Sequence, residues 1–241
     1  MTVREETVED ALFAADFLRK DRRIDLAKIF IAGHSMGGML APRIDREGGD
    51  FVGIIILAGS PRKIEEIIVE QQDSYLKGAN AVIRWIAAGQ IGRIREKLGK
   101  IYGMSDEEAM ATSIFGRHNK VYYLKEWGLK PTAGYLKDLT KPILVMQGDA
   151  DFHVSVALDF EKYREILADH RNASFRLYPG LNHLFMPSVY GDIRKGLREY
   201  RKAQRVDSGV IGDIAGWIWG RGTGVRRRLA SLTNRFDTAS Q

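Results

Sequence analysis

One stretch organises this chain: Lys28-Ile-Phe-Ile-Ala-Gly-His-Ser-Met-Gly-Gly-Met-Leu40. Its apolar run, Ile29 to Ala32, is long enough for a buried β-strand. The chain then turns through Gly33–Gly37, and the pattern from Met36 to Ile44 predicts a helix. The turn reads Gly-x-Ser-x-Gly, which predicts a tight strand-to-helix turn with Ser35 at its tip.

Such a turn holds a serine in a strained conformation with its hydroxyl exposed, as a nucleophile requires. We expect Gly33 and Gly37 to be required, because strand and helix backbones pack closely there and any Cβ would clash. Gly38 is expected to allow close contact between helix and strand. The N-terminal N–H groups of the helix point to where an oxyanion would develop. The alternative is a glycine-rich turn with an idle serine.

The length and composition narrow the class of protein. A chain of 241 residues can bury a sizeable core, and the absence of cysteine excludes disulfides and thiolate metal sites. No run of about eighteen apolar residues is present, so we expect no transmembrane helix. The N-terminal residues are acidic and polar, unlike a signal peptide, and we expect a cytoplasmic location.

The formal net charge of +6 is concentrated at the C-terminal end. Residues 220–241 contain five arginines and one aspartate and so carry +4 of it. We interpret this segment as a solvated basic tail, and we expect no nucleic-acid partner. Contact with nucleic acid or an anionic lipid surface is the alternative.

Further strands and helices alternate along the chain. Phe51–Ala58 is nearly continuous in apolar residues, as in a parallel strand covered on both faces. Ile143–Gln147 and Ala173–Tyr178 are predicted as further strands. Helices are predicted from Thr7 to Lys20, from Ser155 to Ala168 and from Asp207 to Trp219. This alternation predicts an α/β fold with a mostly parallel sheet and flanking helices.

The block from 61 to 139 has no strong strand signal and is predicted as helices over 63–77, 80–88, 90–99 and 105–115. Ser105-Asp-Glu-Glu108 has the capping-box pattern. We interpret the block as a helical cap inserted into a core of residues 1–60 and 140–219, followed by the tail at 220–241.

Reactive residues follow three of the predicted strands. Ser35 follows the first, Asp149 and Asp151 follow the third, and His183 follows the fourth. Function gathers at the carboxyl ends of strands in open α/β sheets, so these residues are expected to lie near one another. A serine hydroxyl needs an imidazole to take its proton, and the imidazole needs a carboxylate to hold its tautomer.

The chain resembles the α/β-hydrolase superfamily, in its serine esterase, lipase and peptidase-like branch. The resemblance rests on Gly33-His-Ser-Met-Gly-Gly38, Ile54-Ile-Ile-Leu-Ala-Gly59, Pro142-Ile-Leu-Val-Met-Gln-Gly-Asp-Ala-Asp151 and Tyr178-Pro-Gly-Leu-Asn-His183. It implies an α/β-hydrolase fold with a helical cap and a serine-based site.

Residue by residue, the resemblance implies that Ser35 is the nucleophile and His183 the general base. Asp151 would be the acid, as the last residue of the Gly-x-x-Asp pattern, with Asp149 as the alternative. The backbone N–H of Met36 would be one oxyanion donor.

Two further histidines lie close to these residues in sequence. His34 is in the turn itself, where we expect it to pack and not to act as the base. His153 is too close to Asp151 in sequence to be well placed to reach Ser35.

The chain departs from the family pattern before the first helix. The early strands, and the loop that gives the second oxyanion donor, have no counterpart in the sequence. The strand before Ser35 would then be a sheet edge with apolar faces, which favours association. We therefore expect a truncated hydrolase, or one whose sheet is completed by an N-terminal segment, a partner or a second copy.

The expected function is hydrolysis of a carboxylic ester or related acyl bond of a small-molecule substrate, through an acyl-enzyme and without a cofactor. Peptidase, thioesterase or acyltransferase activity is not excluded. Activity is expected to fall as pH drops through roughly 6–7, because the base must be neutral. The alternative is a catalytically weak scaffold that acts through association with a partner or second copy.

Overall fold

A parallel sheet forms the centre of the computed structural model, which describes residues 2–77, 79–114, 120–190 and 193–220. Its strands are β1 (Ile31–His34), β2 (Ile54–Leu57), β3 (Ile143–Gly148) and β4 (Ala173–Tyr178). They are hydrogen-bonded in the order β1-β2-β3-β4, and every pairing is parallel. This arrangement confirms the predicted fold class.

Helices flank the sheet and fill the connection between β2 and β3. They are α1 (Glu9–Lys20), α2 (Met36–Ile44), α3 (Ile64–Lys77), α4 (Ala81–Lys100), α5 (Asp106–Ala111), α6 (Val121–Gly128), α7 (Thr132–Leu136), α8 (Glu161–Ile166), α9 (Ile193–Glu199) and α10 (208–220). Single π-helical turns precede α1 at Arg4–Val8, follow α2 at Asp45–Gly49 and precede α8 at Val156–Phe160. In the described ranges, no helix is both long and apolar enough to cross a membrane.

The core lies on both faces of the sheet, because successive strand residues point to opposite sides. One face packs against α2 and the segment around α8; its buried cluster includes Ala41, Ile54, Ile56, Val145, Phe160 and Tyr163. The other face packs against α10; its buried cluster includes Ile55, Leu144, Met146, Phe185 and Val210. Burial on both faces explains the nearly continuous apolar runs of β2 and β3.

The strand register brings the loops after β1, β3 and β4 together at the carboxyl ends of the strands. The pairing His34 with Leu57 and Leu57 with Met146 aligns the ends of the first three strands. Beyond it, the N–H of Asp149 donates to the carbonyl of Tyr178 at 2.9 Å. The residues that follow these strands therefore leave the sheet side by side.

Strand β1 begins two residues later than predicted, and β2 (Ile54–Leu57) is shorter than the predicted Phe51–Ala58. The chain before β1 forms a 3₁₀ turn over Leu26–Lys28, which is capped by the carboxylate of Asp25. Ile29 is already extended, and its carbonyl accepts the N–H of Val52 at 2.8 Å, but the regular strand runs from Ile31 to His34. β1 is an edge of the described sheet, as expected, and the side chains of Ala32 and His34 are exposed.

The helical segment between β2 and β3 differs in detail from the prediction. The two helices predicted over 80–88 and 90–99 are one helix, α4, because Gly89 stays helical and a single glycine weakens a helix without ending it. Ser105 caps α5 as predicted, its Oγ accepting the N–H of Glu108 at 3.1 Å. That helix ends at Ala111, since Thr112 is extended. The predicted basic tail lies outside the described residues apart from Gly220.

Candidate active site

Ser35 occupies a strained position between β1 and α2. Its backbone has φ 54° and ψ −115°, a left-handed φ that is costly for a residue with a side chain. The serine N–H donates to the carbonyl of Leu57 at 2.8 Å, and its carbonyl accepts from the N–H of Met39 at 3.1 Å. The neighbouring strand and the following helix therefore hold the turn in this conformation.

The glycines around Ser35 differ in how strictly they are required. A Cβ on Gly33 would lie 2.1 Å from the carbonyl oxygen of Gly37, and a Cβ on Gly38 would lie 2.9 Å from that of Gly33. Both close approaches agree with the sequence prediction. A Cβ on Gly37 would meet nothing within 4 Å, so the expectation of a clash at that position was wrong. The helix there faces open space.

His183 and Asp151 form a hydrogen-bonded pair. Nδ1 of His183 lies 2.8 Å from Oδ2 of Asp151, and the carboxylate side chain is 0% exposed. Since a carboxylate only accepts, Nδ1 carries the proton and Nε2 of the neutral ring is an acceptor. The other carboxylate oxygen accepts the N–H groups of His153 at 2.8 Å and Val154 at 3.0 Å. Asp151 is thus fixed on both oxygens.

Asp149, the alternative acid, has a different partner. Its Oδ1 accepts the backbone N–H of Gly180 at 2.6 Å, in the loop after β4. It therefore joins the two loops and, among the described residues, makes no hydrogen bond to an imidazole.

Ser35 and His183 line the same cavity, which has a volume of about 350 Å³. We name it the serine cavity. Its other lining residues are Met36, Met39, Ala58, Ser60, Ile64, Ile67, Gln71, Trp127, His153 and Val154. No hydrogen bond joins Ser35 to His183, although both belong to the described chain. Apolar side chains, most of them from α2, α3 and α6, form the larger part of its wall, as in a pocket for an apolar group.

The N–H of Met36 stands at the first position of α2, directly after Ser35. The first N–H groups of a helix have no acceptor within the helix, and the helix dipole makes this end attractive to negative charge. An anion that forms on a group bound at Ser35 would meet this donor.

Two more imidazoles surround His183. His34 donates from Nε2 to the carbonyl oxygen of His183 at 2.8 Å, and its ring centroid lies 4.8 Å from that of His183. It supports the loop by packing, as the sequence predicted. The ring of His153 lies 4.9 Å from the His183 ring and lines the serine cavity. His153 therefore shares a cavity with Ser35, and among the described residues no hydrogen bond joins the two.

His153 is also held by aromatic neighbours. It stacks on Tyr200 with an interplanar angle of 19° and contacts the ring of Phe152. Burial, together with the nearby His183, lowers the pKa of His153 below its ordinary value, so its neutral form is favoured. The only sequence signal for this residue was its position two residues after Asp151.

A buried ion pair next to the serine cavity was missed by the sequence analysis. Arg62 donates from Nε and Nη2 to the two oxygens of Asp159, at 2.7 and 2.9 Å, and Asp159 is 0% exposed. Ser60, which lines the cavity, donates its hydroxyl to the same carboxylate. The three residues tie the loop after β2 to the turn before α8. No sequence motif links Asp159 to the other two, because it lies nearly a hundred residues after them in the chain.

Comparison with known proteins identifies a family and a longer relative that this chain matches over part of its length. Residues 3–192 match the model of the Alpha/beta hydrolase family. Esterase EstD of Thermotoga maritima is 30% identical over 221 residues, which are 90% of this chain and 48% of that protein. The chain therefore spans about half the length of the curated relative that it matches.

Several solved structures are similar at low identity. Est1E from Butyrivibrio proteoclasticus is 21% identical, with a TM-score of 0.45 over 73% of this chain and 60% of that chain. An esterase of Pyrococcus furiosus is 13% identical, with a TM-score of 0.46 over 74% of this chain and 55% of that chain. Acylaminoacyl peptidase of Pyrococcus horikoshii is 17% identical, with a TM-score of 0.42 over 80% and 26% of the two chains.

Proposed function

This chain belongs to the alpha/beta hydrolase family, and on that premise we propose that it is a serine hydrolase that cleaves a carboxylic ester or a related acyl bond. One observation carries the proposal. His183, hydrogen-bonded through Nδ1 to Asp151 at 2.8 Å, lines the cavity that also contains Ser35. A nucleophile, a base and the group that orients the base are the parts that acyl transfer needs.

In the proposed mechanism, the Oγ of Ser35 attacks the acyl carbonyl while Nε2 of His183 takes its proton. Asp151 holds the ring in the required tautomer and stabilises the imidazolium that forms. The N–H of Met36 donates to the developing oxyanion. His183 then gives its proton to the departing group, and water hydrolyses the acyl-enzyme with His183 again acting as base.

The choice of an ester is supported by the walls of the serine cavity and by the relative. The apolar wall includes Met39, Ile67 and Trp127, which favour an apolar acyl chain of a small molecule. The similar protein from Thermotoga maritima is named an esterase. The same residues could also act on a thioester or an amide, and rates on matched substrates separate these classes.

A fluorophosphonate probe, which reacts with activated serines, tests the proposal directly. We expect labelling of the native protein, and none of Ser35→Ala or of the heat-denatured protein. Ser174→Ala is the matched control, since Ser174 lies in β4 and does not line the cavity. Folded protein that stays unlabelled, or labelling that persists in Ser35→Ala, would contradict the proposal.

A second candidate function, association through the sheet edge, is favoured by a separate observation. β1 lies at an edge of the described sheet, and Phe13 and Phe17 of α1 are 73% and 65% exposed. An open strand edge and exposed apolar side chains both favour binding to another chain. The protein would then be a catalytically weak scaffold bound to a partner or a second copy. A compact monomer in sedimentation experiments, with full Ser35-dependent esterase activity, would exclude this candidate.

A further inference from the structure

A second cavity, of about 410 Å³, adjoins the serine cavity. The two share Gln71, His153 and Val154 as lining residues. We name the second one the polar cavity, because its wall includes Gln71, Ser74, Lys77, Asp149, Asp151 and Ser155. It is formed by α3 on one side and by the loop after β3 on the other.

The position of the polar cavity suits the alcohol half of an ester. It is lined by Asp151 and His153, which both contact the ring of His183, whereas Ser35 and His183 themselves line only the serine cavity. In acyl transfer by a serine and a histidine, the imidazolium donates its proton to the departing group. The departing alcohol must therefore lie beside His183 in the serine cavity, and an alcohol larger than that space would extend past the shared residue His153 into the polar cavity.

The polar cavity presents groups that can bind hydroxyls. Within the described residues, the hydroxyl of Ser74 and the ammonium of Lys77 have no hydrogen-bond partner. The side-chain amide of Gln71 donates to the carbonyl of His153 at 2.8 Å, which leaves its oxygen as an acceptor. The ring of Phe152 adds a flat apolar surface. Unpaired donors and acceptors beside an aromatic ring suit an alcohol that carries several hydroxyl groups.

The two cavities thus differ in the chemistry that they offer. The serine cavity has an apolar wall that includes Met39, Ile67 and Trp127, and the polar cavity has the groups just described. We propose that the polar cavity binds a hydroxyl-bearing alcohol moiety, such as glycerol or a monosaccharide, of an ester whose apolar acyl chain lies in the serine cavity. This inference rests on the proposed function and names its substrate class.

His153 contributes to this selectivity as a residue shared by both cavities. Its backbone carbonyl orients Gln71, and its ring is held by Tyr200 and lies beside His183. Among the described residues, its ring nitrogens have no hydrogen-bond partner, so they are available to a hydroxyl of the alcohol. The neutral ring favoured by its lowered pKa can either donate or accept.

Two matched esters test the inference. Glycerol monobutyrate and propyl butyrate have the same acyl chain and differ by two hydroxyl groups on the alcohol. We expect the wild-type kcat/KM to be about tenfold higher for glycerol monobutyrate, as a few new hydrogen bonds would give. Ser74→Leu, which fills the cavity and removes a hydroxyl, is expected to abolish most of this ratio. Glu66→Gln, on the exposed side of α3, is the control and should keep the ratio.

The outcomes separate the inference from the proposed function. Equal rates for the two esters, both lost in Ser35→Ala, would overturn the assignment of the polar cavity and leave the hydrolase intact. A preference that Ser74→Leu does not change would also overturn it. Hydrolysis that survives in Ser35→Ala would overturn the proposed function itself. Melting temperatures of the variants identify any loss that comes from unfolding, and Ser74→Ala then replaces Ser74→Leu.

Calorimetry on Ser35→Ala gives a readout that needs no turnover. This variant should bind glycerol monobutyrate more tightly than propyl butyrate, and Ser74→Ala added to it should weaken binding of the glycerol ester alone. Equal affinities for the two esters would contradict the inference.

Discussion

The imidazole of His183 is held by the carboxylate of Asp151 across two neighbouring parallel strands, with 2.8 Å between Nδ1 and Oδ2. Asp151 follows β3 and His183 follows β4, so the sheet itself sets the distance between their loops. The carboxylate is also held by two backbone N–H groups of its own loop. The ring held in this way belongs to a residue that lines the same cavity as Ser35.

Asp151→Asn is expected to lower kcat by about 10³–10⁴ with little change in fold, because an amide does not hold the required tautomer of His183. Asp149→Asn is the matched control, since its amide oxygen can still accept the N–H of Gly180. Hydrolysis of a butyrate ester by both variants is the measurement. A larger loss of activity in Asp149→Asn than in Asp151→Asn would show that Asp149, and not Asp151, is the acid.

Stability is expected to fall between pH 7.5 and pH 5.5, in part through His153. Its pKa is lowered in the folded state, chiefly by burial. The unfolded chain therefore binds more protons below the ordinary histidine value of about 6.5, and unfolding is favoured there. Urea denaturation at the two pH values measures the change. His153→Gln should lose part of this dependence, and an unchanged dependence in that variant would show that other groups cause it.

Replacing each of the two turn glycines, Gly33 and Gly37, with alanine is expected to have opposite effects on stability. Gly33→Ala places a methyl 2.1 Å from the carbonyl oxygen of Gly37, and we expect it to destabilise the protein by about 3 kcal/mol. Gly37→Ala meets open space and adds a better helix former in α2, so its stability should be unchanged or raised by up to about 1 kcal/mol. Urea denaturation of both variants tests this. Equal losses would contradict the geometry of the turn.

The buried pair of Arg62 and Asp159 is expected to matter far more than an exposed one. Asp159→Ala removes a fully buried carboxylate and leaves the half-buried Arg62 with Glu70 as its remaining acidic partner, which should cost about 3 kcal/mol. Asp16→Ala breaks the exposed pair with Lys20 and should cost at most about 1 kcal/mol. Chemical denaturation measures both. Similar small losses would mean that the buried pair does not hold the loop after β2.

The parts of the fold that were predicted correctly are those in which a single sequence pattern determines one helix or one strand. Helix α2 and strand β4 have the predicted limits, since apolar periodicity and turn residues agree there. The start of β1 was predicted two residues early, because Ile29 is apolar and extended but lies before the regular pairing with β2, which begins at Ile31. Helix α9 was not predicted, because its short sequence, Ile-Arg-Lys-Gly-Leu-Arg-Glu, has little periodicity.

The residues of the candidate site were likewise only partly predictable from the sequence. Ser35, Asp151 and His183 were predicted because each follows a strand in a recognisable motif, and the structure brings the last two into contact. His153 was rejected on sequence distance, yet the loop after Asp151 folds back and turns its ring toward the cavity. Asp159 and Arg62 depend on a contact between distant segments, which a single sequence does not reveal.

The edge position of β1 has a consequence for how the activity would be lost on heating. In the described sheet this strand pairs with β2 alone, whereas β2 and β3 are each paired on both sides. Its amides can therefore exchange with solvent through local fraying that leaves the central strands intact. Because the strain of Ser35 is held by the bond from its N–H to Leu57, such fraying would release the serine first. Inactivation would then begin below the temperature at which the core melts.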